Sequence, residues 1–437
     1  MRGLAPTGKP ALPRAGMSEP EDLELLRSRL RAHFAPLCAQ DAVAFLDNAA
    51  GTLAPRGVAA AVADALTTRG VVNSMPGYAL GRAQAATKLA AHEATAVFLN
   101  ARGADEVALG PSATAMAFRL SAALARQMRA GEAVVVSELE HECNASPWRD
   151  LAHVGVELRV WRARWPEGAL HVEDLEALLA DGKVRLVALT QASNALGLLT
   201  RPADAARAAH AHGALIVVDS VHGAPHLLPD VVRDDIDFMV FSPYKIMGPH
   251  LGALYIRRSL VAGLDTPTLT FYETASIAKF ELGTPAFEAL AGWLAALRYI
   301  AVEIGGAEDD GALPTRAALE RGYHAIEALE APVKELLVRG LAAINSVRIL
   351  GSVNLADRVG TVAFRVRDLD PAAVAKALGE LGVCVGNGHF YAILPCKALG
   401  VLESGGVVRA SIAHYSSAED VQRLLDGVAA IAARGLN

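Results

Sequence analysis

Cysteine is scarce in this chain: four among 437 residues, Cys38, Cys143, Cys384 and Cys396, widely scattered and without a C-x-x-C pair. That scarcity excludes a disulfide framework and a zinc site, and leaves a reducing cytoplasm as the expected compartment. No excess of either charge is present, since 41 Lys and Arg face 47 Asp and Glu for a net charge of −6, with no dense basic block. Nucleic acid and anionic membranes are therefore not expected as partners. Long hydrophobic runs are missing too; the apolar stretches are strand-length and broken by Gly, Pro or charge, so no membrane span is expected. The opening residues, MRGLAPTGKPALPRAG, are basic and rich in Pro and Gly but lack the apolar core of a signal peptide. Residues 1–16 read as a disordered tail, with Met17 as an alternative start, and the chain shows no internal repeat.

What is there belongs to a globular enzyme of two domains: 52% hydrophobic and 20% charged residues over a length that allows a large buried core. From about residue 45 to 305, short apolar strands alternate with Ala-rich helical stretches, the pattern of a mainly parallel sheet with helices on both faces. AVVVS (133–137), VRLVALT (184–190), ALIVVDS (214–220) and IDFMVFS (236–242) are the clearest strands. Between two of them TRPADAARAAHAHG (200–213) predicts a helix with Thr200 as N-cap, Pro202 in the first turn and Gly213 as the stop. Around GGAEDDGALP (305–314) acids, Gly and Pro accumulate, which predicts a boundary. Residues 306–437 then form a smaller α+β domain containing VGTVAFRV (359–366) and VVRASIAHY (407–415), and residues 17–44 form a helical segment, with EDLELLRSRLRAHF (21–34) amphipathic and packed on either domain.

Two residues carry the chemistry. Asp219 ends one buried run, and 26 residues later Lys245 follows the next, in IDFMVFSPYK. An acid and a lysine at the ends of neighbouring buried strands form the arrangement that holds pyridoxal phosphate. The lysine amine forms a Schiff base with the cofactor aldehyde, and the carboxylate keeps the pyridine nitrogen protonated, so the ring accepts electrons from a substrate carbanion. A carboxylate following four apolar residues is costly to bury without a cation, and a pyridinium is one. Ligands of such sheets lie at the carboxyl ends of the strands, where Asn194, Asp219 and Ser242 fall. GPSATAMAFRL (110–120) adds a Gly-Pro turn followed by Ser112, Ala113 and Thr114 at a helix start, a cup of amides and hydroxyls for a phosphate.

FLDNAAGTLAP (45–55), SELEHECNASPW (137–148), ASNALG (192–197), VVDSVH (217–222), FSPYK (241–245), FELGTP (280–285) and VVRASIAHY (407–415) together resemble the class V aminotransferase family of fold type I pyridoxal-phosphate enzymes, and most closely its cysteine desulfurase branch. The resemblance covers nearly everything after residue 40, in the same order. It implies that His141 stacks on the pyridine ring and shuttles protons, that His222 and Asn194 contact the phenolic oxygen, and that Asn194 lies near the substrate carboxylate. It further implies that Ala113, Thr114 and Ser242 serve the phosphate, with Ala113 in place of a threonine, and that Arg409, just before a strand, binds the substrate α-carboxylate in bidentate fashion. Thr284 would reach the phosphate of a neighbouring subunit, which implies a homodimer with shared active sites.

The same comparison exposes departures. The desulfurase branch ends a glycine- and histidine-containing loop with a mobile cysteine, and here VGNGHFYA (385–392) places Tyr391 at that position, with Cys384 and Cys396 nearby but out of register. Tyr244 replaces a histidine before the lysine, and NSMPGYALGR (73–82) replaces an Arg-Gly segment on the substrate side. The expected activity is thus a reaction of a small amino acid through a Cα carbanion, with Lys245 as the base: a β-elimination of carbon–sulfur lyase or desulfurase type, with Tyr391 and His389 assisting the leaving group. The alternatives are transamination or epimerisation, a true cysteine desulfurase using Cys384 or Cys396 and an unidentified sulfur acceptor, or a non-catalytic member with a binding role.

Overall fold

The computed structural model describes residues 20–39, 42–70 and 72–435. The expected tail 1–16 and the alternative start at Met17 lie outside the described residues. Strand β1 (Ala44–Phe45) comes first, followed by the strands of a seven-stranded sheet: β2 (Val107–Gly110), β3 (Ala133–Ser137), β4 (Glu157–Trp161), β5 (Val184–Thr190), β6 (Leu215–Asp219), β7 (Phe238–Phe241) and β8 (Gly252–Ile256). Their order across the sheet is β2-β8-β7-β6-β5-β3-β4. β7, β6, β5, β3 and β4 are mutually parallel, and β8 runs antiparallel to both of its neighbours.

These strands read as nearly continuous apolar runs because both faces are covered. Val135, Val187, Val218 and Met239 belong to one buried cluster with the helices Ala79–Leu99 and Phe287–Arg298. Their chain neighbours Val134, Ala188, Val217 and Val240 point the other way, into a second cluster with the helix Ala113–Ala125. The carboxyl ends of β2, β3, β5, β6 and β7 share one edge of this sheet, where ligands of such sheets bind.

A smaller sheet is built from β9 (Val347–Ile349), β10 (Thr361–Val366), β12 (Gly386–Gly388) and β13 (Val407–Ser411) in the antiparallel order β12-β13-β10-β9, while β11 (Val383–Cys384) pairs in parallel with β1. The long helix Arg316–Ala342 and the C-terminal helix Ala418–Arg434 cover it. The helix Pro20–Arg31 is tied to both parts of this region: the Arg27 guanidinium donates to the carbonyls of Leu329, His414 and Ser416. Among the described residues no helix is long and apolar enough to cross a membrane.

The expected helix at 200–213 is present as Pro202–Ala211, but Thr200 does not cap it. Its hydroxyl instead donates to the Thr190 carbonyl at 2.6 Å, fastening the strand–helix connection to the end of β5.

Candidate functional site

At the shared carboxyl edge lies a cleft with about 480 Å³ of empty space, lined by Ser112, Ala113, Thr114, His141, Cys143, Thr190, Asn194, Asp219, Val221, His222, Ser242, Tyr244 and Lys245. Eight of the twelve residues read from sequence as site residues therefore meet in one place. Lys245 ends a short 3-10 turn after β7, and Asp219 is the last residue of β6. The Lys245 Nζ donates to the Ala49 carbonyl at 2.7 Å. Burial, with the nearby positive charge of Arg409, pushes its amine down to about 8. Asp219 accepts from the Val221 amide at 2.8 Å on one oxygen and from the Cys143 thiol at 3.0 Å on the other. It is buried and has no ion-pair partner among the described residues, as a carboxylate awaiting a cationic ring would be.

The phosphate end is set by the start of the helix Ala113–Ala125. Ser112 caps it, its hydroxyl accepting from the Ala115 amide, so the first-turn amides of Ala113 and Thr114 have no acceptor within the helix. β8 passes directly beneath: a Cβ on Gly252 would lie 2.1 Å from the Ser112 carbonyl carbon and 2.5 Å from the Ala113 nitrogen. Only glycine lets the strand and the cup approach so closely.

Two buried polar atoms lining the cleft are left without partners, Nδ1 of His222 and Oδ1 of Asn194. The other ends of both side chains are used, His222 Nε2 on the Thr361 hydroxyl at 3.0 Å and Asn194 Nδ2 as donor to the Phe390 carbonyl at 2.8 Å. Orphaned groups of this kind call for a polar ligand, and with a lysine, a carboxylate and an open helix start they fit pyridoxal phosphate. Burial holds His222 well below the usual imidazole range, so it is neutral. His141 also titrates low because of burial, and its Nδ1 accepts from the Cys143 amide, which places the proton of the neutral ring on Nε2.

The remaining four candidates, Arg409, Tyr391, His389 and Thr284, lie outside the cleft lining. Arg409 sits inside β13, not before it, paired across the sheet with Ala363 and Gly386. Its guanidinium donates to the Asn194 carbonyl at 3.1 Å and to Asp47 Oδ1 at 2.9 Å, and it lies 3.8 Å from the centre of the Phe390 ring. Tyr391 is 66% exposed, its ring 5.6 Å from that of His141 and 6.0 Å from that of His389. Phe390 and Tyr391 both adopt positive φ, 51° and 57°, a conformation uncommon away from glycine that the surrounding bonds must hold. One such bond runs from the Glu142 amide to the Tyr391 carbonyl. Thr284 is exposed and takes no part in the cleft of its own chain. Tyr244 stacks on His250 with ring centres 5.0 Å apart.

Neither cysteine expected as an alternative sulfur carrier lines the cleft. Cys396 is buried in a short helix with its thiol pushed up to about 11, and Cys384, on β11, is also raised by burial. Sequence reasoning missed Cys143, Thr190 and the acid Glu140. The run ELEHE looks like a solvated surface, yet Glu138 and Glu140 are buried. Glu140 accepts from the Ser137 hydroxyl, the Asn144 amide group and the Thr190 backbone, so it anchors the turn that carries His141.

The Aminotransferase class-V family model matches residues 44–424. A cysteine desulfurase of Escherichia coli O127:H6 is 31% identical over 402 residues, 88% of this chain and 92% of that protein, and one of Shigella flexneri matches to the same extent. Among solved structures, the apo cysteine desulfurase of Thermococcus onnurineus NA1 superposes with a TM-score of 0.83 at 26% identity, covering 96% of this chain and all of the other. The cysteine desulfurase CsdA of Escherichia coli gives 0.79 at 26% identity, covering 94% and 99%.

Proposed function

The chain belongs to the class V aminotransferase family, whose members depend on pyridoxal phosphate, and from that premise we propose that it eliminates a β-substituent, with a carbon–sulfur bond as the leading target, from a small amino acid. The observation that carries this reading is the combination of the cofactor cleft with Tyr391 beside His141 and His389, while the one thiol lining that cleft among the described residues, Cys143, is engaged with Asp219. When bound, the cofactor supplies an electron sink for a carbanion at the substrate Cα.

Asp219 would hold the ring nitrogen charged, and neutral His222 and Asn194 would serve its phenolic oxygen. Arg409 takes the α-carboxylate. With the cofactor bound, Lys245 would take the Cα proton, and the β-substituent would depart with its bonding electrons. Tyr391 and His389 give that group a proton. Thr284, exposed on its own chain, would reach the phosphate of a second subunit in a homodimer. A persulfide route through Cys384 or Cys396 is the second reading, supported by the desulfurase names of the relatives and opposed by thiols that burial keeps protonated.

The test is turnover of cysteine and other β-substituted amino acids by the holoenzyme, scored for released β-group and keto acid. Wild type is expected to release both, and Tyr391→Phe to slow release by about two orders of magnitude, the scale of one lost proton donor. Unchanged turnover in Tyr391→Phe removes the tyrosine from the reaction. An alkylatable persulfide on either cysteine shifts the assignment to the desulfurase reading, and exchange of the amino group or the Cα proton alone shifts it to transamination or epimerisation.

A further inference from the structure

The proposed reaction leaves Asp47 without a task, yet its segment, FLDNAAGTLAP, is fastened to both buried cations of the site. The Ser411 amide donates to the Leu46 carbonyl at 2.7 Å, Asn48 Nδ2 donates to the Ser411 carbonyl at 2.8 Å, and the Ala49 amide donates to the Ser411 hydroxyl at 2.8 Å. The Tyr415 hydroxyl accepts from the Leu53 amide at 3.0 Å and donates to Asn48. On the other side the Thr52 hydroxyl accepts from the Met247 amide at 2.8 Å, two residues past Lys245. A segment pinned at both ends places the Ala49 carbonyl on Lys245 and the Asp47 carboxylate on Arg409.

Arg409 is constrained on all sides but one. Its side chain is 2% exposed, Phe390 covers its plane, Nη1 is bonded to the Asn194 carbonyl, Nη2 is bonded to Asp47, and Nε has no partner. A buried guanidinium with no counter-ion is costly, and Asp47 offsets that cost. Asp47 is the more accessible member of the pair, with 26% of its side chain exposed, so it is the one able to yield.

We propose that Asp47 is the resident counter-ion of Arg409, with which a substrate carboxylate must share or contest the guanidinium, so that Asp47 weakens monocarboxylate binding and speeds its release. The inference rests on Arg409 being the carboxylate subsite. Asp47 is then a positioning and specificity residue: it holds the guanidinium in its plane while the site is free, and it repels the second anion when the substrate arrives.

Calorimetric titration of the holoenzyme with propionate, a carboxylate without an amine, tests this. Asp47→Asn keeps the shape and a hydrogen-bond acceptor while removing the charge, and is expected to bind propionate about tenfold more tightly than wild type. Asp47→Ser should shift in the same direction. An unchanged or weaker affinity in Asp47→Asn overturns the proposal, because a purely structural contact loses affinity when it is disturbed. Arg409→Gln separates the two claims: if it binds propionate as wild type does, the carboxylate subsite itself is misplaced, whereas loss of binding there with no gain in Asp47→Asn sinks only the role of Asp47. Should the variants fail to fold, wild type alone decides, since a resident counter-ion limits its preference for propionate over neutral propionamide to about tenfold, and a preference of a hundredfold or more contradicts it.

Discussion

The amine of Lys245 loses most of its hydration in the folded chain, and the Arg409 charge nearby adds to that penalty, which is why it falls to about 8. Only the neutral amine attacks an aldehyde, so capture of pyridoxal phosphate by the apoprotein should accelerate as pH rises through about 8 and level off above it. A midpoint near that of an ordinary lysine would show that the amine is not buried as described. The sign for stability follows from the same shift. A lysine whose folded pKa lies below its unfolded value destabilises the apoprotein fully below pH 8, and the penalty is relieved as pH climbs from 8 toward the unfolded value. Neutral His222 has its own window: burial keeps the folded ring uncharged while the unfolded imidazole takes a proton below about 6.5, so stability falls as pH drops below that value.

At the level of elements, the decisive contact is β8 against the start of the helix Ala113–Ala125. Gly252→Ala would force a methyl group within 2.5 Å of three backbone atoms of Ser112 and Ala113. The amide cup must then move by about an ångström, and a shift of that size costs on the order of a hundredfold in turnover, with weaker cofactor retention in an equilibrium titration. Wild-type cofactor affinity in this variant would show that the cup is not the phosphate site. The strands of this edge were legible in the sequence because strands buried on both faces must be apolar along their length, as β3, β5, β6 and β7 are. Lys245, Asp219 and the helix start at Ala113 were legible because each follows such a run or a Gly-Pro turn. Three features were hidden for a common reason: each depends on partners that the pattern of its own segment does not announce. Thr200 abandons its cap for the Thr190 carbonyl, Glu140 is buried because Ser137, Asn144 and the Thr190 amide meet it, and Asp47 faces Arg409 across 362 residues. Local pattern carries no record of such meetings.

Across the whole molecule, the segment around Asp47 joins the edge of the large sheet to β13 of the small one, its Ala49 carbonyl accepting from Lys245 and its Asp47 carboxylate from Arg409. Several large apolar side chains remain exposed near Thr284 and at the start of the helix Ala79–Leu99, among them Met75, Tyr78, Phe271 and Leu282. Glu281 ties these two regions together through Lys88 at 2.7 Å and His92 at 2.5 Å. Apolar surface of this kind marks a protein interface, and the account predicts a homodimer by sedimentation, with Phe271→Asp/Leu282→Asp monomeric and poor in cofactor. A monomeric wild type that retains cofactor would contradict shared sites. The central claim, that the cleft around Lys245 holds pyridoxal phosphate, is tested most directly by borohydride reduction of the holoprotein and mass mapping of its peptides. A phosphopyridoxyl group on Lys245, absent from Lys245→Ala, is the predicted result; an adduct confined to another lysine, or none at all after incubation with the cofactor, would contradict it.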